Sequence, residues 1–447
     1  MTATAGKAST YQGNDKLLYG IILGVITFWL FAQTTLNIAP AMQKDLGLDA
    51  SMMNIALAPT GSMATAFLLV GRALQGMSAA CIMPASLALV KTYWDGPARQ
   101  RAVSLWSIGS WCGSGACSLF GGLVADNIGW RYIFFASIVV AIIGLLMMKG
   151  TPESKAETKG AYKFDFAGVL TFMVTMVALQ IVVTQGNKMG WTSPLILSLI
   201  AVVIVFGSLF FRIENTSGQP FVDFKLFRNP TYTGATISNF LLNGVAGTLL
   251  VSLQLVQLGG DLTAQQAGTL TLGYAVAIIA FIRVGEKLLQ RFGARKPMIW
   301  GCLITGLAIV LLTPANVLLD DYKILAMIGY TLFGVGLAFY ATPSTDAALS
   351  SLPAAQAGSG AGISKMASSS LGAAFGVAIS AAIFTALSAN PESVSWLAGV
   401  ITFVGRQDNL AVREAAIIAL MFNVFMVAVA ILSIMLTVPK VAAKTAP

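Results

Sequence analysis

Histidine is absent from all 447 residues of this chain. An imidazole relay is therefore excluded, and a group that changes protonation in a working cycle must be a carboxylate or a perturbed lysine. Charge is scarce too: Asp, Glu, Lys and Arg make up 10% of the sequence against 56% hydrophobic residues, with a mean hydropathy of +0.79. That leaves too little polar surface to clothe a soluble globule. The four cysteines (Cys81, Cys112, Cys117, Cys302) lie in apolar runs without metal-ligand spacing, which reads as buried packing and implies neither a disulfide framework nor a metal site. No nucleophile stands with a base, and Gly358-Ser359-Gly360-Ala361-Gly362 lacks the Lys-Ser/Thr pair of a phosphate-cradling loop. These absences argue against an enzyme, a cofactor and direct ATP hydrolysis.

What is present is a succession of apolar runs near the 20 residues of a membrane span. The expected fold is an all-α polytopic membrane protein with twelve spans, at about 17–39, 63–90, 103–124, 131–148, 166–184, 194–212, 232–256, 264–282, 297–313, 323–345, 357–386 and 413–437. The stretch Met1 to Lys16 has no small-residue cleavage site behind a short apolar core, so the first run is expected to remain as a span. Of the 27 Lys and Arg residues, 19 fall in the tails and alternate loops that share a side with the N-terminus. Six fall opposite, and Arg72 and Lys365 lie within spans. This positive-inside bias expects both termini to be cytoplasmic. The net charge of +9 is spread between hydrophobic segments and does not form a nucleic-acid surface. The expected organisation is a tail at 1–16, an N-terminal bundle at 17–148, two linker helices with their loops at 149–231, a C-terminal six-helix bundle at 232–437, and a tail at 438–447.

Within the spans, Arg72 is the most informative residue. A cation at helix depth costs about 2.5 to 3.5 kcal/mol even on the lenient insertion scale, so it persists mainly where a cavity or partner uses it. A structural tie to backbone carbonyls is the alternative. Asp346 lies near the cytoplasmic end of its helix and Lys365 about two turns into the next. They could form a protonation switch, or be an interfacial cap and a snorkelling lysine. Gln33 and Asn37, and again Asn239 and Asn243, present two amides on one helix face, suited to lining a cavity or to interhelical hydrogen bonds. Trp111, Phe240, Tyr340 and Met366 stand at similar depth as soft wall residues or plain packing. Gly109, Gly113, Cys117 and Gly121 recur every four residues along one stripe, which serves close helix packing or a rocking surface.

The two parts of the chain echo each other. Gly71-Arg72-Ala73-Leu74-Gln75-Gly76 followed by Pro84 is matched in glycine spacing by Gly329-Tyr330-Thr331-Leu332-Phe333-Gly334 followed by Pro343, yet three helices precede the echo in the second half and one precedes Arg72 in the first. The run Gly71 to Ala80 resembles the fourth-helix motif of drug:proton antiporters of the major facilitator superfamily. Ser107 to Gly115 with Gly121-Gly122 resembles a variant of their fifth-helix motif, with Cys117-Ser118 in place of the usual Gly-Pro. Gly129-Trp130-Arg131-Tyr132-Ile133-Phe134 and Thr151-Pro152-Glu153-Ser154 are similar to the borders of their sixth helix. Asp223 to Phe227, Ser238 to Gly247 and Tyr340 to Asp346 add likeness to the fourteen-helix branch, and within it to staphylococcal multidrug efflux proteins.

The resemblance implies a major facilitator fold on a fourteen-helix plan lacking helices two and three, because Ser51 to Ala56 runs directly into Leu57 to Ser62 and the Arg72 helix. It implies export of small hydrophobic or cationic drugs, such as quinolones and dyes, from the bacterial plasma membrane in exchange for protons. Arg72 would contribute to proton coupling, and the protein would act as a monomer. Relatives commonly carry an aspartate near the Gln33 and Asn37 pair, and this chain has none. The alternative is a deleted variant that folds around its intact second half without transporting, since the loss opens one bundle to lipid. Gly285 to Lys296 resembles a degenerate form of the family's signature loop, serving as a latch between states or as a topology anchor.

Overall fold

The computed structural model describes residues 12–46, 63–112, 131–152, 165–218, 222–262, 264–353, 356–390, 394–405 and 407–440, with 120, 124, 127–129, 220 and 392. The described residues hold helices and turns and no strand. Among the described residues, ten helical segments are long and apolar enough to cross a membrane. They correspond to ten of the twelve expected spans. The remaining two are the first helix, α1 (Asp15–Leu46), and the third, whose described part is α3 (Gly96–Ser107) with a π-helical turn at Ile108–Cys112.

The chain divides into two compact units, Met1–Ala156 and Glu157–Pro447. The first unit contains α1, α2 (Met63–Tyr93), α3 and α4 (Arg131–Met148). Its core is α1, whose Leu17, Leu18, Ile21 and Val25 are at most 2% exposed, against Ala102, Val103 and Trp106 of α3. A Cβ on Gly20 would lie 3.1 Å from the Gly144 carbonyl oxygen of α4, so α1 and α4 cross closely. Trp106 Nε1 of α3 donates to Ser86 Oγ of α2 at 2.8 Å, and Tyr93 of α2 donates to the Pro152 carbonyl beyond α4. At the rim Arg101 donates to Asp15 at 2.7 Å and holds that carboxyl below its ordinary value. Apolar side chains of α2 and α4 face outward as on any membrane span, among them Val70, Leu74 and Met77 on α2 and Phe135 and Leu145 on α4. A Cβ at Gly71 or Gly76 would meet nothing within 4 Å.

The second unit runs from α5 (Phe166–Met189) to α15 (Leu410–Thr437). Local sequence starts its helices: Asp165 accepts from Gly168 N before α5, and Ser193 accepts from Ile196 N before α6 (Pro194–Thr216), with Pro194 in the first turn. Asn229 caps α7 (Pro230–Gly244) by accepting from Thr231 N and Tyr232 N. The next span continues as α8 (Gly247–Gln254) with a π turn at Leu255–Gly259, followed by α9 (Ala264–Leu270) and α10 (Leu272–Phe292). Gly293, at φ 73°, ends α10 before α11 (Arg295–Leu312).

Glycine sets the spacing in this unit. The helix α12 (Leu319–Ser350) lies between α10 and α11 at backbone distance. A Cβ on Gly301 of α11 would stand 2.6 Å from the Gly336 carbonyl oxygen, and one on Gly285 of α10 would stand 2.5 Å from that of Ala338. The penultimate span consists of α13 (Ala357–Lys365), a π turn at Met366–Gly372 and α14 (Ala373–Ala389). It crosses α7 and α8 more tightly still, since a Cβ on Gly376 would run into the Gly244 carbonyl and one on Gly372 into that of Phe240.

Candidate functional site

Five of the residues singled out from sequence, Asn239, Asn243, Tyr340, Asp346 and Lys365, fall on three packed helices of the second unit: α7, α12 and α13. The helices α7 and α13 run parallel at a fixed offset. Tyr232 donates to the Gly360 carbonyl at 2.7 Å and Thr236 Oγ1 to Ser364 Oγ at 3.3 Å, each across 128 residues. The helix α12 runs antiparallel to α7, with Asn229 Nδ2 donating to the Ser351 carbonyl at 3.2 Å and Ser238 Oγ bonded to Tyr340 Oη at 2.7 Å. A polar seam thus threads an apolar bundle, and in hydrocarbon such pairs are kept because the alternative is an unmet polar group.

Each candidate has a defined place in that seam. Tyr340 is fully buried, and its ring starts against Gly301 of α11, so its hydroxyl ties α12 to α7 instead of standing in open space. Asn243 bends its amide back onto the Asn239 carbonyl at 2.8 Å. Asn239 is 3% exposed, and its Oδ1 has no hydrogen-bond partner. The same holds for the hydroxyls of Thr342 and Thr345, which flank the buried Asp346 on α12. Lys365 is half-buried and is the last α-helical residue before the π turn that packs against α7. A π turn widens the backbone and re-aims the residues beside it, a device frequent at functional sites.

The first unit gives less detail. Gln33 and Asn37 lie on α1, Arg72 on α2, and Trp111 in the π turn after α3, but their side chains lie outside the described residues, as do Gly113 and Gly121 altogether. Gly109 faces Ile22 and Val25 of α1 at 3.5 Å, a distance at which a methyl group would make ordinary contact.

Two charged arrangements complete the second unit. In the segment resembling a signature loop, the buried Glu286 binds Arg283 and accepts from Gln290 at 3.2 Å, while Arg295 donates to the Met435 and Val438 carbonyls at 2.7 and 3.3 Å. Arg295 therefore caps the C-terminus of α15, where a cation is favoured. At the opposite end Arg413, the expected first residue of the last span and one of the six basic residues counted on the side away from the N-terminus, is in the first turn of α15 and 5% exposed. It donates to the carbonyls of Ala315 (2.6 Å), Val317 (3.1 Å) and Val404 (2.9 Å) and lies over the Phe403 ring. This is the carbonyl tie that sequence reasoning weighed for Arg72. Its only signal was an arginine one turn into a long apolar run.

The sequence profile of the Major Facilitator Superfamily matches residues 9–377 and again 231–424, and the chain belongs to that superfamily. A protein of Staphylococcus aureus strain MRSA252 named quinolone resistance protein NorB is 45% identical over 420 aligned positions, covering 85% of this chain and 90% of that one. The protein of the same name from strain COL is 42% identical over 471 positions, covering 96% and 97%. In the first alignment, 85% of 447 residues is about 380. About 40 of its 420 positions therefore face gaps in this chain, a length of about two membrane helices. A solved structure described as an auto-inhibited peptide transporter of the POT family has a TM-score of 0.44 at 16% identity, covering 97% of this chain and 89% of that one. The chain is a multi-pass bacterial membrane protein of a transporter family.

Proposed function

We propose that the chain is a proton-coupled multidrug exporter of the bacterial plasma membrane, moving hydrophobic or cationic drugs such as quinolones and dyes outward as protons move in. The observation that carries this reading is the 45% identity, over 85% of the chain, to a protein named for quinolone resistance. A drug enters from the cytoplasmic side, the protein rocks outward, and proton entry resets it. Arg72 biases a neighbouring carboxylate. Asp346 and Lys365 supply the ionisable groups of the second unit. Gln33, Asn37, Trp111, Asn239 and Asn243 line the drug path, with the unpartnered Asn239 Oδ1 available to a donor. Tyr340 contributes by holding the seam in register. Gly109, Gly113 and Gly121 let the third span move against its neighbours. The protein works as a monomer with both termini in the cytoplasm. On this reading the gap of about 40 positions belongs between α1 and α2, in place of helices two and three of the fourteen-helix plan.

A second reading is favoured by the gap of about 40 positions against the relatives: a deleted variant that folds but does not transport. The test is drug-triggered proton release from inside-out vesicles energised by a pH gradient, with ethidium and norfloxacin as drugs. Collapse of the gradient with this chain, lost in Arg72→Ala, is the expected outcome. Silence from the correctly inserted chain, beside a responding full-length relative, would establish the deleted variant.

A further inference from the structure

The segment from Gly285 to Lys296 carries a basic surface that the transport reading leaves without a role. Arg283 and Gln290 hold the buried Glu286, and Arg295 caps α15. That leaves Lys287, Arg291 and Lys296 exposed at the end of α10 and the start of α11. None of these three cations has an ion pair among the described residues.

The fold gathers the three. Lys287 and Arg291 stand one turn apart on a face of α10, an arrangement of like charges that is unfavourable by itself. Gly293, at φ 73°, turns the chain directly into α11 and brings Lys296 to the same ring as Arg291. Lys296 Nζ lies 5.5 Å and Arg291 Cζ 5.2 Å from the centroid of Phe292. The C-terminus of α10 offsets part of this charge, and the N-terminus of α11 adds to it. The first turn of α11 holds no acidic residue, and no side chain caps it. Glu286 is engaged by Arg283 and Gln290, and Asp346 of the neighbouring α12 is buried.

A lipid-facing stripe begins beside these cations. Phe292 packs edge to face with Trp300, ring centroids 5.2 Å apart. Trp300, Leu303, Leu307 and Val310 follow one face of α11 with exposures of 36% to 54%. The 18 residues of α11 rise about 27 Å against a hydrocarbon core of about 30 Å. Lys296, in its first turn, therefore stands at headgroup level, and Trp300 stands one turn further in, within the interfacial belt where tryptophan is enriched. Charge and apolar stripe are continuous, which is the outline of a phospholipid.

We propose that this corner binds one anionic phospholipid, its phosphodiester among Lys287, Arg291 and Lys296 and an acyl chain along Trp300, Leu303 and Leu307. Arginine meets a phosphate through paired N–H donors and lysine as a point charge. The site requires only that the chain sits in a membrane, so it stands or falls apart from transport.

The experiment is native mass spectrometry of the purified full chain, titrated in neutral detergent with phosphatidylglycerol or with phosphatidylcholine of the same acyl chains. The first phosphatidylglycerol should bind more tightly than the first phosphatidylcholine. Its binding should weaken about tenfold or more in the triple variant Lys287→Gln, Arg291→Gln, Lys296→Gln, and about threefold or more in Lys296→Gln alone. A second triple, Arg212→Gln, Lys225→Gln, Arg228→Gln, removes equal charge from exposed residues elsewhere in the unit and should stay within about twofold. Soluble glycerol phosphate should not displace the lipid. All the substituted side chains are exposed, so the variants should fold, as monodisperse elution verifies. Equal affinity for the two lipids, phosphatidylglycerol binding unchanged in either variant of Lys296, an equal loss in the second triple, or displacement by glycerol phosphate would each overturn the proposal.

Discussion

The two units solve helix packing differently. In the second, glycine brings backbones into contact where α7 and α8 cross α14 and where α12 crosses both α10 and α11, and buried hydroxyls tie the helices from within. Among the described residues of the first, one glycine pair joins α1 to α4 at backbone distance. A bundle in lipid gains little from burying apolar side chains, because lipid tails are equally apolar. Cohesion must come from close backbone approach and polar ties, which among the described residues are plainest in the second unit.

That contrast can be broken at single positions. The largest effect is expected at Gly376, where leucine would have to displace the Gly244 backbone, costing about 3 kcal/mol or more. Gly376→Leu should abolish the monodisperse peak in detergent, whereas Gly76→Leu, on the open face of α2, should elute like the wild type. Next is Arg413→Ala, which frees three carbonyls at the end of the second unit and should lower stability by about 1.5 to 3 kcal/mol, read as a fall in Tm. Tyr340→Phe removes the tie to Ser238 and should cost about 0.6 to 1.7 kcal/mol. Gly109→Ala should stay within about 0.5 kcal/mol, because its methyl group would make ordinary contacts with α1.

The smallest effect concerns pH. Hydrogen bonding from Arg101 lowers the carboxyl pKa of Asp15 in the folded state. This contribution is complete above the unfolded value of about 3.9 and fades as pH falls through the lower folded value. Melting curves of the wild type and Asp15→Asn should therefore keep a constant gap between pH 8 and 6 and converge only in acid. Raising the salt concentration should shrink that gap, since the pair is exposed.

Most of the helices were legible because a span of about 20 apolar residues leaves few other readings. The breaks inside them were not. The π turns at 255–259 and 366–372 interrupt apolar runs whose composition does not change there, so hydropathy passes straight over them. Depth along a span was readable as well, but not direction around it. Tyr340 was therefore grouped with cavity walls although it points into a seam against Ser238. The glycine stripe of Gly109, Gly113 and Gly121 attracted attention by its spacing, while the same spacing at Gly372, Gly376 and Ser380 marks the tighter crossing. Sequence shows that a backbone can be approached, and only the fold shows which one is. Arg413 eluded the reading for a related reason: its carbonyl partners come from segments about 10 and 100 residues away.

The offset of 128 residues between α7 and α13 also sets a schedule for biosynthesis. At 5–20 residues per second, α7 enters the bilayer on the order of 10 s before the helix that covers it has been made. For that interval the hydroxyls of Tyr232 and Thr236 and the bare backbone at Gly244 face lipid, the insertion machinery or a provisional neighbour. The joint that closes most tightly in the finished protein is among those left open longest during its synthesis.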